Sequence, residues 1–314
     1  MSDSPAVSHP SENLTERSGV VFAVAAYMLW GGLPLFFLLL QPAGASEIVA
    51  SRILFSLVFC VVIITVTRKW RALTAILRRP RIVVTMGVAA AFIFINWQVY
   101  VFATLNGEVI EAALGYFINP IVTVLLGVVF LRERLRRAQW VAVGISAIAV
   151  VELAVNYGAL PWVALALPIS FGIYGLIKKR VGGAVDAVSG LTLETAWLVP
   201  LAVVQLVVVG ATAGLTFGTV SVAHSLLLVS SGVVTAVPLL LFAAAARRLP
   251  LVYMGLIQYL TPVLQFTVGA FVLGEAMPPA RWAGFGLVWI ALAILSIDLL
   301  ATGRRSRRAA PSPA

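Results

Sequence analysis

The stretch Leu114–Ile148, LGYFINPIVTVLLGVVFLRERLRRAQWVAVGISAI, returns 142 residues later as Leu256–Ile290, LIQYLTPVLQFTVGAFVLGEAMPPARWAGFGLVWI, without a gap. Pro120 falls on Pro262, Gly127 on Gly269, Glu133 on Glu275, Trp140 on Trp282 and Gly144 on Gly286. Coincidences among Leu, Ala and Ile carry little weight in so apolar a chain. A proline, an acid and a tryptophan in one register carry much more. Each copy reads as an apolar helix broken near its middle by proline, a short turn with Glu, and a second helix opened by Trp. A repeat of this period sets the architecture before any other feature. It predicts two related halves.

The rest of the composition places those halves in lipid. Apolar residues make up 61% of the 314 and charged residues only 11%, against roughly 25% charge in a soluble domain. Mean hydropathy is +1.04. Ten apolar spans can be drawn, at about 19–40, 46–66, 82–104, 108–131, 138–156, 160–177, 187–209, 223–246, 251–273 and 280–300. Each approaches the roughly 20 residues that a bilayer core requires. The predicted fold is an all-α integral membrane protein of ten transmembrane helices. They form two inverted five-helix repeats, residues 19–156 and 160–300, between a tail at 1–18 and a basic tail at 301–314. Both tails are rich in Ser, Pro and charge and are expected to be disordered. Residues 1–18 are polar and mixed in charge, so no cleavable signal is expected.

The charges orient the chain. With the N-terminus inside, 20 of the 22 Lys and Arg fall in inner segments, Arg281 alone lies in an outer loop, and Arg52 lies within a span. Both termini are therefore expected in the cytoplasm. The formal charge of +10 reads as topology anchoring and not as a nucleic-acid surface, because no polar fold presents it. Five spans per half is odd, so the halves must enter the membrane in opposite senses. The two copies of the turn agree: Arg132–Arg137 is strongly basic, whereas Gly274–Pro279 holds no Lys or Arg. Inverted repeats are a transporter design, with substrate near the midplane where the halves meet.

Matched helix breaks point to that substrate site. Pro120 and Pro262 each remove a backbone donor and free the carbonyl four residues earlier, on Tyr116 and Gln258. A freed carbonyl in lipid needs protein or water beside it, so both breaks are expected to face inward. Gly255, Gln258, Pro262, Gln265 and Gly269 make one stripe at helical spacing, and Tyr116, Asn119, Pro120, Thr123 and Gly127 make its counterpart. Asn96 and Tyr100 lie one turn apart with Trp97 beside them. These residues line either a cavity for a small amphipathic molecule or an ordinary hydrogen-bonded helix interface.

Arg52 and Glu194 are 142 residues apart, at equivalent positions of the two copies. A charge inside a span needs a partner or water and is a functional candidate by default. Arg52 has Glu47, Glu108 and Glu111 at similar depth as partners for an ion pair. Glu194 has Tyr174 or Lys178, with substrate or proton contact as the alternative. Inversion puts Arg52 toward the outer face and Glu194 toward the inner, so the two are not expected to pair. Glu152 and Asp298 read as interfacial.

Catalysis finds little support. His9 and His224 are far apart, Cys60 is the only cysteine, and no H-E-x-x-H, phosphate-binding loop or dinucleotide fingerprint occurs. No cofactor and no metal are expected, and uphill movement would have to use an ion gradient or exchange. An intramembrane enzyme with Glu194 or Glu111 as base is the rival reading, together with a non-transporting membrane partner or sensor.

Several runs resemble a known family. They are Asn96-Trp97-Gln98-Val99-Tyr100, Glu111 through Pro120, Leu131–Leu135 and Gln139-Trp140, followed by Leu191–Thr195, Thr235–Leu240 and Gln258–Pro262. They resemble the RarD branch of the EamA-like drug/metabolite transporter superfamily, over about residues 19–300. The resemblance implies a multi-pass permease of the bacterial inner membrane, more often an exporter, with a central cavity between two inverted halves. The branch's recurring residues map onto Arg52, Asn96, Trp97, Tyr100, Glu111, Tyr116, Asn119, Pro120, Glu194 and Gln258. Thr261 departs from Asn119, so the two breaks need not be chemically equivalent. The expected partners are a small-molecule substrate, the lipid bilayer and, as an open alternative, a second copy of the chain.

Overall fold

The computed structural model describes residues 10–132, 135–157, 160–181, 184–249 and 251–309. Every element among them is helical: α1 (Pro10–Leu39), α2 (Ala45–Val66), α3 (Trp70–Leu77), α4 (Pro80–Leu105), α5 (Val109–Leu131), α6 (Arg137–Tyr157), α7 (Trp162–Val181), α8 (Ala187–Thr212), α9 (Val222–Ala246), α10 (Leu251–Ile257), α11 (Leu260–Thr267), which continues as a π turn at Val268–Val272, and α12 (Pro279–Ala309). Nine helical stretches among the described residues are long and apolar enough to cross a membrane, and α7 adds a shorter apolar stretch, Trp162–Lys178. The chain is an all-α multi-pass membrane protein. Val58, Val155, Val207, Val222 and Phe271 are among many large apolar side chains left exposed. Such a surface suits hydrocarbon, where only helices with internally paired backbones are stable.

Local chemistry sets several helix starts. Asp186 accepts from the Ser189 N–H ahead of α8, and Ser221 accepts from the His224 N–H ahead of α9. These are ordinary N-caps. Pro80 opens α4, where its missing N–H is no loss.

The packing comes in matched sets. α1 lies on α9 and α7 on α4; α1 lies on α11 and α7 on α5; α2 lies on α9 and α8 on α4. α2 also meets α8, α5 meets α11, and α6 pairs with α12. The tightest approach is between α2 and α9. A Cβ on Gly232 would sit on the Phe55 carbonyl and 2.7 Å from the Ser56 N, so only glycine lets the two backbones come this close.

Three features differ from the sequence expectation. First, α3 occupies part of the basic segment after α2. Leu73 and Ile76 dip into a cluster with Ile64, Met86 and Leu193, while Arg71, Arg78 and Arg79 stay exposed. An amphipathic turn of this kind lies along a membrane interface.

Second, Pro120 does not break its helix. α5 runs through it without interruption, from Val109 to Leu131. Membrane helices absorb a proline where nearby hydroxyls and packing re-satisfy the backbone.

Third, the break in the other copy lies upstream of its proline, at Gln258–Tyr259, between α10 and α11. Pro262 sits in the first turn of α11, where a proline starts a helix more easily than it interrupts one. The two copies are therefore unequal in backbone.

Within the tails, residues 10–18 and 301–309 carry on α1 and α12 as helix. Extending a helix that is already nucleated fixes one residue per added hydrogen bond, which is far easier than starting one. Residues 1–9 and 310–314, and Glu133 of the repeated turn, lie outside the described residues.

Candidate functional site

Arg52 lies two turns into α2 and is 4% exposed. Its Nε donates to Thr235 Oγ1 at 2.7 Å, across to α9. The Gly232 contact one turn away holds those two helices together and makes that reach feasible. The guanidinium carbon stands 4.5 Å from the Trp97 ring centroid and 5.3 Å from that of Phe37. Such cation–π contacts contribute about 0.5–2 kcal/mol each, but they leave the charge unneutralised.

The ion pair expected with Glu47, Glu108 or Glu111 does not form. Glu47 accepts the Thr216 and Phe217 N–H groups, both at 2.9 Å. Glu111 accepts from Val163 and Ala164 at the start of α7, at 3.2 and 3.4 Å. Glu108 has no ion pair to Arg52 among the described residues, where the salt bridges are Arg136–Asp298 and Lys178–Glu194. Glu47 and Glu111 serve backbone N–H groups instead. At Glu111, a carboxylate facing a helix's first turn gains from both the hydrogen bonds and the dipole; at Glu47 the donors belong to the loop between α8 and α9.

Around Arg52 the polar groups converge. Tyr116 OH donates to Asn96 Oδ1 at 3.2 Å, and Asn96 Nδ2 donates to Leu167 O and Ser170 Oγ at 3.0 and 3.2 Å. The Tyr100 and Tyr116 rings meet edge-on at 5.5 Å, and Tyr100 meets Phe37 at 5.9 Å. Gln265 of α11 donates to Tyr100 OH at 2.8 Å and to Trp30 O at 3.3 Å. Arg52, Asn96, Trp97, Tyr100 and Tyr116 thus stand together. Thr235, Phe37 and Gln265 join them. Gln265 sat on the polar stripe with Gln258 and could have been found there. Thr235 and Phe37 had no local signal.

The remaining candidates lie elsewhere or act differently. Gln258 donates back to Gly255 O at 3.0 Å, within the break. Pro120 and Pro262 shape α5 and α11. Asn119 Oδ1 is buried without a partner. Glu194, 2% exposed, is held by Lys178 Nζ at 2.7 Å and by Tyr174 OH at 3.3–3.4 Å. Both residues expected as alternatives contribute, because Tyr174 and Lys178 are one turn apart on α7 and reach the same carboxylate.

At the end of the bundle carrying these acids, Glu275 ties two distant segments. Val109 and Ile110 donate their N–H groups to its two oxygens at 2.7 and 2.9 Å. Gly269 fits against Ile110 beside it. Burial pushes the Glu275 carboxyl above the ordinary carboxylate value, against the pull of those N–H groups and Arg281. Glu108 is pushed up by burial and then by the charges of Glu111 and Glu275. A cavity of about 200 Å³ opens beside them, lined by Glu108, Glu111, Leu114, Trp162 and Arg281. At the opposite, basic end Arg136 bridges to Asp298 at 2.9 Å, joining the loop before α6 to α12.

His224 is a core histidine, bonded to Leu40 O at 2.9 Å. No group of three or more His, Cys, Asp or Glu among the described residues could hold a metal ion.

Comparison with known proteins fits this arrangement. Residues 17–154 match the EamA-like transporter family. The chain is 47% identical to Protein RarD of Streptomyces exfoliatus, over 93% of this chain and 92% of that one. It belongs to the RarD family of EamA-like transporters. Protein RarD of Escherichia coli K12 is 39% identical over 93% of this chain and 98% of its own. A crystal structure with 19% identity superposes at a TM-score of 0.57 over 89% of this chain and 97% of that one, which supports the fold. As a RarD-family member the chain is a membrane permease.

Proposed function

We propose that this permease moves small organic metabolites or drugs across the bacterial inner membrane by alternating access, working as an exporter with both termini in the cytoplasm. The observation that carries the reading is the cluster at Arg52, where polar groups of segments far apart in the chain converge. The Arg52–Thr235 and Gln265–Tyr100 bonds span 183 and 165 residues. The matched packing of α1 on α9 and α7 on α4, with α2 on α9 and α8 on α4, supports two inverted five-helix halves. A site between such halves can be exposed to either side by rocking one against the other. In this arrangement Glu275, Glu47 and Glu111 hold the outer end closed. Arg52 orients charge, Asn96, Tyr116 and Gln265 bond the solute, and Trp97 stacks on it. Direction rests on the family resemblance.

The experiment is flux through proteoliposomes of the purified full chain, with single cysteines in the Arg132–Arg137 and Gly274–Pro279 turns. Protein-dependent solute exchange is expected, with the two turns labelled from opposite sides. Labelling from one side, or no flux of any solute across a broad metabolite and drug panel, overturns the reading.

A further inference from the structure

Within the cluster Arg52 is a buried charge with no carboxylate beside it among the described residues. Arg52 and Glu194 hold equivalent places in the repeat, yet Glu194 is neutralised by Lys178 at 2.7 Å and Arg52 by no carboxylate among the described residues. Its Nε is spent on a neutral hydroxyl, and its Nη1 is buried without a hydrogen-bond partner. Buried charges are normally paired. The acids that could have served, Glu47 and Glu111, are committed to backbone N–H groups. Trp97 and Phe37 flank the guanidinium with flat apolar faces. One buried acceptor of the cluster, Gln265 Oε1, also lacks a partner, while the Gln265 Nε2 is bonded to Tyr100 OH.

We propose that Arg52 is the receptor for the negative charge of the transported solute, an organic monocarboxylate carried on an aromatic or similarly flat apolar body. The inference rests on the transport reading above and names its substrate class. A guanidinium pairs with a carboxylate in a planar fork, which the one remaining edge of Arg52 presents. A single cation suits a single negative charge better than a phosphate, which is usually held by several donors. The Trp97 indole, whose one face is taken by the guanidinium, offers its remaining surface to the ring, and Gln265 Oε1 accepts an N–H or O–H on the body. A bound carboxylate would complete what the bundle leaves undone.

The test uses the purified full chain in detergent, with indole-3-acetate and phenylacetate as probes. Their neutral amides and the cations tryptamine and phenethylamine serve as matched controls. Binding is read by thermal unfolding, since a ligand of the native state raises its midpoint, and by tryptophan fluorescence. The carboxylates are expected to bind at least about tenfold tighter than their amides, and Arg52→Gln is expected to abolish that preference. Arg52→Lys keeps the charge but not the fork, so it should keep only part of the preference; it carries the test if Arg52→Gln does not fold. Carboxylates that bind no better than amides, no binding by any probe, or a preference that survives in Arg52→Gln and Arg52→Lys alike overturns the inference. Flux separates the two readings. A carboxylate that binds through Arg52 but never crosses a proteoliposome membrane counts against transport alone. Amides or amines that cross equally well with Arg52→Gln count against the carboxylate alone.

Discussion

Lys178 Nζ lies 2.7 Å from Glu194 Oε1, and the two side chains are 29% and 2% exposed. The pair is lopsided: Lys178 can keep its head near water, as long basic side chains do at membrane edges, whereas Glu194 has no such outlet. Losing the lysine therefore harms more than losing the acid.

Lys178→Met should strand a buried carboxylate and destabilise the protein by on the order of 3 kcal/mol, toward the lower end of breaking a buried pair because the lysine is partly exposed. Glu194→Gln should cost less, and the double variant less than Lys178→Met alone. Thermal unfolding of the three in detergent checks the order. Equal losses in both single variants would contradict the asymmetry.

Gly232→Ala should push α9 off α2, because the new methyl meets the Phe55 and Ser56 backbone and not a flexible side chain. Overpacking of this kind costs about 1–3 kcal/mol, and it should also lengthen the Arg52–Thr235 bond. Gly144→Ala and Gly286→Ala meet nothing within 4 Å, so they should be neutral or slightly stabilising in a helix. A melting-temperature series of the three separates backbone contact from a general glycine effect.

Glu275→Ala should release the Val109 and Ile110 N–H groups and loosen the closure at that end. Each charge-assisted bond lost is worth about 1.5–3 kcal/mol, so Ala should be worse than Gln, which keeps one acceptor. A cysteine at Leu114, lining the adjacent cavity, should react faster with a water-soluble maleimide in Glu275→Ala than in the parent. An unchanged rate would mean that Glu275 does not hold the closure.

Mild acid should stabilise the folded chain. The Glu108 and Glu275 carboxyls lie above their ordinary 4.5, through burial first and, for Glu108, neighbouring charge next. The folded state thus binds more protons than the unfolded one between 4.5 and the raised values, so stability falls as pH rises through that window. Asp186, held low by its Ser189 hydrogen bonds and Lys69 against the opposing effect of burial, acts only below its ordinary 3.8 and stays out of the way. Stability measured from pH 7.5 down to about 5 should rise on acidification, with a shallower slope in Glu108→Gln. Identical slopes would remove Glu108 from the account.

Much of this protein was readable along the chain. Span positions were, because a bilayer demands runs of apolar residues of one length and each run stands out on its own. The site was partly readable. Asn96, Trp97, Tyr100 and Tyr116 stood out as polar or aromatic groups on helix faces, and Arg52 as a charge where none is tolerated without cause. Thr235 and Phe37 could not be found this way, since a threonine or phenylalanine in a span is unremarkable until a guanidinium is beside it. α3 was not drawn for another reason: the arginines of its segment hide the two apolar residues, Leu73 and Ile76, that seat it.

Composition, spacing and loop charge were sufficient for a helical membrane protein with a duplicated pattern, because those properties depend on each segment's own contact with lipid or water. Which charge met which partner was a tertiary decision. Glu47 and Glu111 were as close to Arg52 in depth as any ion-pair partner, yet loop and helix-start N–H groups from remote segments took them. That competition is settled by which backbone ends the packing brings near, and no stretch of sequence contains it.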